Sequence, residues 1–185
     1  MIPDHPSTEY AQKVLSGEIV ACRFVKLACQ RHLDDLEHGH ERGLYFDVEA
    51  ANKRLRFNEF CHHWKGEWQG QVFRPELWQI FIKSCLYGWK REDGTRRFRT
   101  AYVQVARKNG KSTDFATDGL YLFIADGEGG SEVYTAATKK DQAAIVHECS
   151  VHMVQASPNL KKHITISKLG RKHHYNLSFE AQAAK

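Results

Sequence analysis

Residues 105–113 read VARKNGKST. Three in a row, Gly110, Lys111 and Ser112, are the groups with which a loop holds a triphosphate. Glycine lets backbone N–H groups approach phosphate closely, lysine reaches the β- and γ-phosphates, and the serine hydroxyl ligates Mg2+. Such a loop must also open a helix, because the unpaired N–H groups and dipole of a helix N-terminus attract anions. The strict pattern GxxxxGK[ST] is not met, since Val105 stands where its first glycine belongs. Arg107 and Lys108 add two cations inside the loop. Beside a triphosphate an arginine could stabilise charge on the γ-phosphoryl group; the alternative is that both side chains point to solvent.

The elements around the loop must present it correctly. RFRTAYVQVA (Arg97 to Ala106) is rich in strand formers and leads into the loop. STDFATDGLYLFIADG follows as a helix ending at Gly127, and SEVYTAAT (Ser131 to Thr138) reads as a second strand. KKDQAAIVHECSVHMVQASP is a second helix stopped by Pro158, and HITISK (His163 to Lys168) and HHYNLSFE (His174 to Glu180) read as two short strands. Strand, helix, strand, helix, strand predicts an α/β layer with a parallel sheet. Upstream the pattern is helical. Ile19 to His38 places Val20, Phe24, Leu27, Ala28 and Leu33 near one face. Asp47 can cap a second helix running through Trp64, and Pro75 suits the first turn of a third, ELWQIFIKSCLYGW. The aromatic run Trp64, Trp68, Phe73, Trp78, Phe81 and Trp89 reads as core rather than as a base-stacking surface.

Composition narrows the class. The 185 residues suffice for a sizeable core, with 42% hydrophobic and 26% charged residues. The formal charge of +5 permits contact with nucleic acid without demonstrating it. Seven basic residues lie between Arg91 and Lys111 against Glu92 and Asp93, which fits either a phosphate site or a solvated loop. No apolar run approaches the roughly 20 residues that span a bilayer, and no secretory signal is visible. Five cysteines without a CxxC fit reduced thiols in a cytoplasm. The soft clusters His147/Cys149/His152, Cys61/His62/His63 and His173/His174 lack zinc spacing and read as surface histidines and small buried cysteines.

With these residues in view, VARKNGKST resembles the variant Walker A of the large terminase subunit of tailed double-stranded DNA phages, in which an arginine three residues before Gly-Lys-Ser/Thr is typical. FRPELWQIFIKSCLYGWKREDGTRRFRTAYV upstream and LYLFIADGEGGSEVYTAATKKDQAAIVHECSVHMVQASPNL downstream resemble that family's ordered blocks, from about residue 45 to 165. The resemblance implies an α/β fold. Residues 96–185 would be the front part of an incomplete P-loop ATPase core of the additional-strand class, with a parallel sheet. Residues 1–95 would be a mainly helical N-terminal region that carries the adenine-side Trp-Gln segment. It implies ATP and Mg2+ as cofactors. Lys111 would bind the β/γ-phosphates, Ser112 the Mg2+, and Arg107 would sense or stabilise the γ-phosphate. Lys108, Asn109, Gly110 and Thr113 would complete the nucleotide-binding loop, and Gln79 would recognise adenine. Trp78 beside it could serve packing only. Double-stranded DNA, the portal protein and the small terminase subunit would be partners in the host cytoplasm, with no membrane.

The sequence departs from the family at two points of chemistry. The acidic pair that ends the Walker B strand is missing: LFIADGE (Leu122 to Glu128) looks superficially similar but falls in the helix after the loop. The nuclease carboxylates are missing too, so the expectation is a fragment or truncation with very low ATPase and no nuclease activity. Two other readings remain open. One is another P-loop enzyme such as a small kinase; the other is a non-catalytic prophage remnant acting by protein or nucleic-acid binding.

Overall fold

The computed structural model describes residues 3–169 and 174–179. The chain divides into two compact units that interleave in sequence, Met1–Arg56 with Pro75–Gln104, and Phe57–Arg74 with Val105–Lys185.

The first unit is built on α1 (Pro6–Ser16), α2 (Arg23–His38), α3 (Val48–Arg56) and α4 (Leu77–Gly88), with β1 (Leu44–Phe46) paired antiparallel to β2 (Trp89–Arg91). His5 caps α1 by accepting from the Ser7 N–H at 3.1 Å, with Pro6 at the first helical position. Asp47 caps α3 as expected, accepting from Ala50 N–H at 2.9 Å. Tyr10, Ala11 and Val14 of α1 pack with Cys29 of α2 and Phe81 of α4. Trp89 closes the core at 1% exposure, and its indole N–H donates to His32 Nδ1 at 3.0 Å. Gly88 allows this, since a Cβ there would sit 2.7 Å from the Phe46 ring.

The second unit pairs α5 (Lys111–Ile124) with α6 (Lys140–Ala156), followed by α7 (Pro158–Lys161) and the antiparallel pair β3 (Ile164–Leu169) and β4 (His174–Phe179). Its core holds Leu120, Tyr121, Val151, Met153, Val154 and Ile164. Segment 57–74 joins this unit through Phe57, whose ring meets Tyr121 edge-on at 5.5 Å.

Several expectations need correction. The expected parallel sheet is not formed among the described residues, whose two sheets are each two-stranded and antiparallel. Residues 101–106 and 131–137 carry no regular secondary structure, and Tyr102 stands 87% exposed. Strand-forming side chains make a strand only where a neighbour accepts the ladder hydrogen bonds. Helix α2 starts at Arg23, not Ile19, and leaves Val20, Phe24 and Leu27 exposed. Its buried face carries Cys29, His32 and Asp35, because His32 is held by Trp89 and Asp35 by Arg42 and Arg97. Helix α3 stops at Arg56 and passes into a 3-10 turn, Phe57–Phe60, instead of running to Trp64. Pro75 precedes the Glu76 N-cap of α4 rather than sitting in its first turn. The two short strands are present as a hairpin; His173 and Glu180 lie outside the described residues.

Candidate nucleotide-binding loop

The loop before α5 is exposed from Ala106 to Lys111. Lys108 is the non-glycine residue with positive φ among the described residues, at 68°, and Gly110 follows at φ 68°. Left-handed residues such as those at 108 and 110 are a feature of turns whose successive N–H groups form an anion-binding concavity. Asn109 braces the turn, its Nδ2 donating to Ala106 O at 3.2 Å and Arg107 O at 3.4 Å.

Gly110 is the N-cap of α5, with φ 68° and ψ 8°, and no side chain caps the helix. The N-caps of α1, α2, α4, α6 and α7 all lie in the extended region. A Cβ at Gly110 would meet nothing within 4 Å, so glycine is needed for its φ and not for space. The first helical bond is Asp114 N–H to Gly110 O at 2.9 Å. The preceding first-turn N–H groups are those a helix leaves for a ligand. Lys111 stands exposed at this terminus and Ser112 beside it is half-buried. One cation, one hydroxyl and a row of amide donors suit a polyphosphate and its magnesium ion. No cluster of three or more His, Cys, Asp or Glu able to hold a metal occurs among the described residues. A phosphate-bound magnesium needs none from such a loop, because phosphates and waters supply most of its ligands.

The other sequence candidates are placed as follows. Thr113 is half-buried in the first turn of α5. Gln79 belongs to the first unit and the loop to the second. At 4% exposure, Gln79 closes a capping box on α4, its Oε1 accepting from Glu76 N–H at 2.7 Å. Trp78 packs partly buried against the α1–α2–α4 core. In the HECSVH stretch, His152 stacks on Trp64 and Cys149 is buried, which pushes its thiol pKa up. Burial likewise lowers the pKa of His147. The Trp64–His152 stack was not foreseen, since nothing in the spacing of residues 64 and 152 brings them together. No helix among the described residues is long and apolar enough to cross a membrane.

The family model of the terminase large subunit ATPase domain matches residues 77–179, more than half of the chain. The crystal structure of the HK97 bacteriophage large terminase is similar at 28% identity and a TM-score of 0.53. That likeness covers 65% of this chain and 24% of the other, so the chain spans about a quarter of the terminase it resembles. No curated protein matches. The match runs from α4 through the loop to β4, and its α/β character agrees with the mixed helices and strands seen. The chain belongs to the terminase large subunit ATPase-domain family, one that uses nucleotide.

Proposed function

We propose that the chain is the nucleotide-binding part of a motor that packages double-stranded DNA into phage procapsids. The observation that supports this most is the left-handed, uncapped start of α5 at Gly110-Lys111-Ser112, inside the family match. In this reading the β/γ-phosphates of ATP rest on the first-turn amides of α5, from Gly110 to Thr113. Lys111 neutralises them and Ser112 holds the magnesium ion. Bound magnesium supplies charge neutralisation between the phosphate oxygens. Arg107 and Lys108 face the γ-phosphate and Asn109 keeps the turn closed; an adenine-recognising role for Gln79 is a separate proposal, drawn from the family resemblance alone. The DNA, the portal protein and the small terminase subunit are the proposed partners, in the cytoplasm of the host cell.

Hydrolysis needs a carboxylate that activates water, and no Asp-Glu dipeptide occurs in residues 1–185. The isolated chain should therefore bind ATP and turn it over very slowly. Calorimetry with and without Mg2+ tests the reading. The expected result is micromolar affinity that needs Mg2+ and drops at least tenfold, or about 1.4 kcal/mol, in Lys111→Ala. Salt-sensitive DNA binding indifferent to ATP and to Lys111 would instead favour a non-catalytic nucleic-acid-binding role. Robust turnover by this chain, lost in Lys111→Ala, would refute the slow-hydrolysis part alone.

A further inference from the structure

The chain around the start of α2 turns only part of its apolar surface inward. Ile19, Ala21, Val25 and Ala28 pack against the core of the first unit. Val20, Phe24 and Leu27 stand 97%, 78% and 53% exposed. Phe24 and Leu27, three positions apart, share one outward stripe of the helix, and Val20 lies just before its start. Arg23 and Lys26, both exposed, border the stripe on one side. Exposed Arg31 closes its far end, with the guanidinium 5.0 Å from the centre of the Phe98 ring. The helix terminus adds to this charge. Cys22 gives no side-chain cap, and no acidic residue lies in the first turn. Glu18, the nearest acid before the helix in sequence, is drawn to Lys13 at 3.5 Å. Cations in a first turn work against the helix dipole, which favours carboxylates there. This end of α2 is thus both apolar and electropositive.

We propose that Val20, Phe24 and Leu27 form a docking face for an acidic amphipathic helix of a partner protein. Its aliphatic side chains would cover the stripe, and its carboxylates would meet Arg23, Lys26 and the α2 N-terminus. The partner segment is a helix because a helix face offers no free backbone N–H or C=O, so the incoming backbone must satisfy its own groups. A second copy of this chain fits less well. Two such faces set against each other bring Arg23 and Lys26 of both copies together. Sliding the copies until these cations meet exposed Asp34 and Glu37 moves Val20 and Phe24 onto a polar surface, where Gln30 is also exposed. Duplex DNA is held through its phosphates and gives Phe24 and Leu27 nothing to pack on. A helix that lies in a membrane interface carries a longer apolar face than these three side chains. The docking face belongs to the first unit and the phosphate-binding loop to the second, so the proposal does not rest on the nucleotide site.

The probe is a synthetic helical peptide of about four turns, with leucine at i, i+3, i+4 and i+7 and glutamate on the flanks. Fluorescence anisotropy of the labelled peptide with the full chain at low salt should give a dissociation constant of about 10–100 μM. Phe24→Asn with Leu27→Asn changes only exposed side chains, so the thermal midpoint should match wild type while affinity falls at least tenfold. Arg23→Glu with Lys26→Glu should weaken binding about threefold to tenfold, and that difference should fade by about 0.5 M salt. Equal binding of a peptide with lysine in place of glutamate overturns the proposal, as does binding that the double asparagine variant leaves unchanged. Failure of the acidic peptide to bind overturns it too. In that case, dimerisation lost in the double asparagine variant would assign the face to a second copy. Co-sedimentation with phosphatidylserine vesicles, lost in the same variant, would assign it to a lipid surface.

Discussion

The core of the first unit and the loop of the second handle polar groups in opposite ways. In the first, several are engaged with one another inside the core, while Thr8 Oγ1 and Ser84 Oγ are buried without a hydrogen bond. His32 accepts from Trp89, its Nε2 lies 3.4 Å from the Ser7 hydroxyl, and Ser7 in turn reaches His5 at 2.8 Å. Asp35, buried, takes both Arg42 and Arg97. In the second unit, the loop at 106–111 leaves its cations and first-turn amides facing outward, under a helix start with no cap. Satisfied buried polar groups fix a fold. An uncapped anion-binding terminus at the surface adds little stability and is available for a ligand. Stability and binding are therefore expected to respond to different residues, and each prediction below tests that separation.

The largest effect should come from Trp89→Ala. This residue fills the first core, satisfies His32 and packs its ring at 5.3 Å and a 60° tilt against Phe46. Its loss should cost about 3–5 kcal/mol in urea unfolding. A cost below about 1 kcal/mol would mean that the Trp89–His32 pair is not holding the unit together.

A pH titration should show the same network. Burial is the main cause that lowers the His32 pKa from 6.5 to about 4, and nearby His5 pushes the same way. The unfolded chain thus binds a proton between pH 6.5 and 4 that the folded chain refuses. Stability is full above pH 6.5 and falls as the pH drops toward 4, by about 3 kcal/mol in total. His5 is lowered as well, by burial, and adds in the same direction. Asp47, whose pKa is lowered despite an opposing effect of burial because Lys90 and Ala50 hold its charged form, acts only below 3.8. The thermal midpoint should therefore slope across pH 4–6.5, and His32→Gln should flatten most of that slope whatever its absolute stability. An equally steep profile in His32→Gln would assign the titration to other groups.

Lys111→Ala marks the opposite case. The side chain is exposed, so the unfolding free energy should stay within about 0.5 kcal/mol of wild type. Nucleotide affinity should nevertheless fall at least tenfold. A variant that loses binding and stability together would show that the loop is part of the fold's support after all.

What could be read in the sequence follows the same division. The helices around the site follow from local periodicity and punctuation, and α5 does begin at the Gly-Lys-Ser turn. The loop residues are contiguous, so their chemistry is legible without a fold. Of the face expected for α2, Ala28 and Leu33 pack against the core, but Val20, Phe24 and Leu27 do not, because the helix also turns His32 and Asp35 inward toward partners 57 and 62 positions away. The strands expected at 97–106 and 131–138 depend on neighbours that a one-dimensional pattern does not specify. The placement of segment 57–74 with the second unit rests on Trp64 meeting His152 and Phe57 meeting Tyr121, pairings that no periodicity encodes.

The smallest effect isolates backbone from charge at Lys108. Its φ of 68° is unfavourable for a lysine, by about 1 kcal/mol. Lys108→Gly removes that strain but also gives the unfolded chain more freedom, a change of similar size and opposite sign. Unfolding free energy should therefore move by less than about 0.5 kcal/mol. The same substitution removes one exposed cation beside the proposed phosphates. Affinity should fall about twofold to fourfold at low salt, and the difference should fade by about 0.5 M salt, where the screening length shrinks to a few ångströms. Lys108→Asn serves as the control, because asparagine tolerates the left-handed region and carries no charge. If it weakens binding as Lys108→Gly does, charge is the cause. If it binds like wild type while Lys108→Gly does not, the loop works through its backbone shape, and the left-handed turn matters more than the cation it displays.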